Sequence, residues 1–151
     1  MSPKTFLKHI QQQDKSLILI LLICNPADRS LLTIVPSFEG DPEAWLPDTR
    51  SITSDQTLET IVKDMMRIWT SLERNAYNIH KEPVWTKKNS LFLRVDLLDP
   101  CSSLAPSEDL KRALGDAFDF SYRFVQPHES YDGLGNGEWA VRAARRLFKH
   151  F

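Results

Sequence analysis

"SLILILLIC", residues 16–24, is the stretch on which the architecture turns. From Leu17 to Cys24 every residue is apolar. An amphipathic helix would admit polar residues every third or fourth place, and a half-exposed strand would alternate. A short run with neither period reads as a strand covered on both faces. It is too short for a membrane span, which needs roughly 18 apolar residues. The preceding Gln11, Gln12, Gln13 and Asp14, with no small-x-small site after the run, also set it apart from a secretory leader. The stretch therefore predicts a central strand with helices on either side, in a cytoplasmic protein.

Outward from that strand, "NPADRS" has the chemistry of a hairpin turn, and Leu31–Val35 returns as a second strand. Before it, Ser2 and Pro3 suit the start of a first helix carrying Phe6, Leu7 and Ile10. After it, residues 36–51 form a long acidic loop with three prolines. Thr53 and Gln56 have capping-box spacing, and Leu58, Ile61, Val62, Met65, Trp69 and Leu72 recur at helical period. A short strand is expected at Val84–Thr86, a turn at Lys88–Asn89 and a strong strand at Leu91–Leu98. Ser107 can cap a helix that runs to about Phe118 and has Glu108 and Asp109 in its first turn. Alternation over Asp119–Val125 predicts a strand with Phe120, Tyr122 and Phe124 on one face. Glu138–His150 closes the series as a helix, with Trp139, Ala143, Leu147 and Phe151 as its apolar stripe. The order α-ββ-α-ββ-α-β-α predicts an α/β protein of the α+β type. Residues 1–151 would form a single domain, with about five strands in a mixed or mostly antiparallel sheet flanked by helices.

With 42% apolar and 26% charged residues the chain can bury a full core, and two cysteines are too few for a disulfide framework. Net charge is −1, which excludes a whole-chain basic field. The charge is nonetheless segregated. Six acids face one base between Glu39 and Glu59, whereas Arg142, Arg145, Arg146 and Lys149 face only Glu138 in the last helix.

Signatures of catalysis are sparse. There is no Gly-x-Ser-x-Gly or Cys-x-x-Cys motif, and His128, Glu129 and Asp132 read as a solvated loop. Asp96 shares a strand face with Arg94, which predicts a local ion pair. No catalytic residue, metal site or cofactor is assigned, and the balance leans away from an enzyme. The acidic loop with its tryptophan instead suggests a protein-binding surface made of Asp41, Glu43, Trp45 and Asp48, joined by Trp85. On that reading the chain is a non-enzymatic inhibitor, immunity-type or adaptor protein with a basic protein partner.

Two alternatives stand beside it. Gly133, Gly135 and Gly137, running into the last helix, resemble the turn with which acyl-CoA-dependent N-acetyltransferases hold their cofactor's pyrophosphate. The resemblance implies a small enzyme binding acyl-CoA or a nucleotide at those glycines. Asp132 stands where that family favours a basic or glutamine residue, Glu138 adds another negative charge, and the glycines also suit a turn with positive φ. The second alternative is nucleic-acid binding through the basic last helix, with Lys81, Lys87 and Lys88 as support.

Overall fold

The computed structural model describes residues 18–36, 44–49, 56–99, 103–114, 120–126 and 134–149. The helix expected near Ser2 lies outside them, as do Thr53, Cys101 and residues 115–119. Within them the chain forms β1 (Ile18–Asn25), β2 (Ser30–Pro36), β3 (Asp48–Thr49), α1 (Leu58–Thr70), β4 (Tyr77–Lys87), β5 (Ser90–Leu97), α2 (Glu108–Leu114), β6 (Phe120–Val125) and α3 (Glu138–Lys149). The sheet order is β4-β5-β1-β2-β6, with β3 on β1 in addition. β1 and β5 run parallel, and the remaining pairs are antiparallel. The α+β class, the mixed sheet and the flanking helices are those expected. The strand number rises from five to six because of β3, a two-residue strand with no periodicity to reveal it.

β1 is covered on both faces, as its composition demands. Leu19, Leu21 and Ile23 meet Leu58, Ile61, Val62, Met65 and Met66 of α1 in one core cluster. Ile20, Leu22 and Cys24 meet Ala140, Ala143, Ala144 and Leu147 of α3 in a second. Alternation is intact along the strand, but both sides of it are apolar. The small alanines of α3 bring that helix close to the sheet, where Phe92 of β5 fills the space beneath it. α1 starts four residues later than its capping-box reading: Thr57, not Thr53, takes the cap position and accepts from the Thr60 N–H at 3.2 Å. Among the described residues, no helix is long and apolar enough to cross a membrane.

β4 is the largest departure from expectation. It begins at Tyr77 rather than Val84, and its pairing with β5 shifts register around Pro83. "HKEP" breaks the apolar pattern, yet an edge strand tolerates charged residues and a proline that offers no N–H. β6 alternates as read, with Tyr122 and Phe124 against the α1 core and Ser121 and Arg123 exposed.

The Tyr122 hydroxyl donates to the Trp69 carbonyl at the end of α1, and burial pushes its pKa above the ordinary 10.0. Burial also pushes the Cys24 thiol above its ordinary 9.0. Both groups fold in their neutral forms. Their contribution is therefore complete below the unfolded values and lost as pH rises through the higher folded ones. Chemical denaturation at increasing pH should show stability declining from about pH 9 upward. Tyr122→Phe should flatten part of that decline and cost about 1 kcal/mol at neutral pH. An unchanged alkaline slope in that variant would assign the decline to other groups.

Candidate functional site

β1 and β2 pair through Cys24–Leu31 and Asn25–Ser30, beside their turn. Farther along, the chain over 44–49 occupies the space between them. Trp45 and Ile34 exchange both backbone hydrogen bonds at 2.8 Å, and the Leu21 N–H donates to the Pro47 carbonyl at 2.9 Å. β3 then pairs Asp48 with Ile20 and Thr49 with Leu19. The 44–49 segment is thus a wedge in the sheet, and Trp45 and Asp48 of the expected acidic surface are part of it. Asp41 and Glu43 lie outside the described residues.

The glycine turn holds this wedge in place. The Gly135 N–H donates to the Ala44 carbonyl at 2.8 Å. The Asn136 side chain accepts from the Leu46 N–H at 2.7 Å and donates to the Leu46 carbonyl at 3.0 Å. It also donates to Asp48 Oδ2 at 3.0 Å. One amide side chain therefore satisfies both backbone groups of Leu46, as a neighbouring strand would. A Cβ on Gly135 would overlap the Trp45 indole carbons, so the turn needs glycine there for close approach. The Gly137 N–H is spent on the Leu134 carbonyl at 2.9 Å, and its φ is +106°. Two of the three glycines thus turn their N–H groups to their own chain, whereas an anion cradle needs them converging outward. Gly133 lies outside the described residues. Asn136, which the sequence reading missed, sits between Gly135 and Gly137, two of the three glycines it had singled out.

Trp85 makes its ring contacts with β5 and α3. It stacks on Phe92 with centroids 5.8 Å apart and meets Trp139 at 5.6 Å. Three cations sit over these indoles: Lys87 at 4.7 Å and Arg142 at 5.0 Å from the Trp139 centroid, and Arg146 at 4.8 Å from that of Trp85. Glu138 pairs with Arg142 at 2.7 Å. Trp139 does not pin α3 into the core as its apolar stripe suggested; it is 37% exposed at the edge, while Leu147 is buried. The charge of the last helix was visible in the sequence, but its junction with Lys87 and Trp85 was not.

The predicted Arg94–Asp96 pair is present at 2.7 Å, on the strand beside the Cys24 end of β1. Among the described residues no three His, Cys, Asp or Glu side chains gather as they would to hold a metal ion.

No protein-family model and no curated protein matches the sequence. Solved structures do resemble the fold. An Ap4A hydrolase from C. elegans superposes with a TM-score of 0.59 at 8% identity, over 89% of this chain and 96% of that one. MutT, from a study of Aliivibrio salmonicida and Vibrio cholerae, gives 0.57 at 7% identity, over 90% and 98%. The C-terminal domain of mouse MUTYH, solved with human PCNA, gives 0.52 at 13% identity, over 90% and 88%. At such identities the likeness establishes a shared fold.

That fold corrects the functional expectation. The reading as a non-enzymatic inhibitor, immunity-type or adaptor protein is overturned by an architecture whose neighbours include a nucleotide hydrolase. The acetyltransferase-like alternative gives way too, because the glycine turn closes on the Ala44–Thr49 segment.

Proposed function

We propose that this chain acts on nucleotides: its ligand is a nucleoside carrying a phosphate chain, and its reaction class is hydrolysis of that chain. The observation that carries the reading is the near-complete mutual coverage with Ap4A hydrolase, 89% of this chain and 96% of the other. An insertion or a shared half-domain would not superpose end to end in that way. Phosphoryl transfer gathers negative charge on the phosphate oxygens and is catalysed mainly by positioning and by positive charge. The described acids form no metal-holding group. Arginine and lysine side chains are the charge-stabilising groups the described residues offer.

The test is product analysis of ATP, ADP and Ap4A incubated with the full chain, with and without Mg²⁺ or Mn²⁺, alongside thermal-shift measurements. Release of phosphate or of mononucleotides, scaling with protein concentration, is expected for at least one of them. The absence of both turnover and stabilisation with all three would sink the reading.

A further inference from the structure

The nucleotide reading leaves open which surface meets the phosphates, and the inference here rests on that reading. Trp85 and Trp139 come from different elements, β4 and α3, and meet at 5.6 Å. Lys87, Arg142 and Arg146 each lie within 5.0 Å of one of the two ring centroids. Surface lysines and arginines ordinarily sample many rotamers, at an entropic cost when they bind. Here the electron-rich indole faces hold the three cations against the surface. Lys87 and Arg142 share one indole, so both charges are held beside the same ring. Glu138 answers one of them, so among the described residues the cluster sets three cations against one carboxylate. Such an array is pre-organised for an anion that spans several cations.

We propose that this cluster is a docking site for the phosphate chain of a nucleoside polyphosphate. Lys87, Arg142 and Arg146 read the chain's charge, and the two indoles fix the cations rather than stacking on the base. A multiply charged, flexible anion suits cations spread over two adjacent rings better than a single carboxylate does. Because the phosphates are what is read, inorganic tripolyphosphate should bind and adenosine should not.

The experiment titrates the full chain with tripolyphosphate, ATP and adenosine, following indole emission and, independently, heat. Tripolyphosphate and ATP should perturb the emission and bind more weakly as salt rises, since exposed charges are screened within a Debye length of about 8 Å at physiological ionic strength. The double variant Lys87→Gln/Arg146→Gln should lose at least tenfold in tripolyphosphate affinity at an unchanged melting temperature. Trp139→Phe, which keeps an aromatic face, should retain calorimetric binding while losing part of the optical signal. Tripolyphosphate binding that is absent in the native chain, or equal in the double variant, overturns the site. If nucleotides are hydrolysed and bound normally by the double variant, the site is wrong while the proposed function stands. If tripolyphosphate and ATP bind as described and no nucleotide is turned over, the site stands and hydrolysis as the reaction falls.

Discussion

Gly135→Val is expected to lower the melting temperature by about 10 °C, with no ligand present in the assay. The new side chain starts inside the Trp45 indole, which cannot simply swing away. Its own backbone is tied to Ile34 by two hydrogen bonds, and Leu46, the next residue, is 2% exposed. Relief must come from moving the glycine turn outward. That movement stretches the Gly135–Ala44 hydrogen bond and the three contacts of Asn136 at once. Overpacking of a well-filled site costs about 1–3 kcal/mol, and loss of partners for a buried peptide group adds to it. A double-mutant cycle separates this account from a generic glycine effect. In a Trp45→Ala background the space is vacated, so Gly135→Val should cost little more than an ordinary surface change. Equal costs in both backgrounds would mean that the indole is not what the valine meets. The outcome also bears on what the glycines are for, because a ligand cradle would leave the free protein's stability largely unchanged.

Much of the architecture was legible because it rests on local pattern. The α1 period and the alternation of β6 each survive into the structure, where burial follows the apolar positions. What was not legible depends on pairs far apart in sequence. β3 is two residues long and exists because β1 and β2 leave room beside Leu19 and Ile20. No composition rule finds a strand of that kind. The glycine turn and the Trp45 segment were read as two separate sites, yet Asn136 and Leu46 are ninety positions apart and share two hydrogen bonds. Likewise "VWTKK" and "EWAVRAARRLF" each showed their charge and aromatic content, but not that Lys87 would seat on Trp139. Function was less legible still. It was inferred from charge alone, and charge describes solubility and encounter better than it describes fold.

Leu21→Ala and Leu22→Ala should each destabilise the protein by about 2–5 kcal/mol, and together they should leave no cooperative folded state at room temperature. Both side chains are fully buried, but they point into different layers. Leu21 lies in the cluster with Val62, Met65 and Met66 of α1, whereas Leu22 lies with Ala143, Ala144 and Leu147 of α3. Each truncation removes the transfer free energy of the lost carbons and leaves a cavity that rigid neighbours fill only in part. The two cavities share no lining side chain, so the losses should add despite adjacency in the chain. A sheet with one solvated face would give another result: one of the two leucines would then be nearly free to change. Hydrogen exchange can place the damage as well as measure it. Leu21→Ala should loosen the amides of α1 first, and Leu22→Ala those of α3, because each helix is held by its own face of β1. If either single variant unfolds as easily as the other but exposes the same helix, the two layers are one cooperative core. The alternation of side chains between the two layers along residues 18–24 would then have no energetic counterpart.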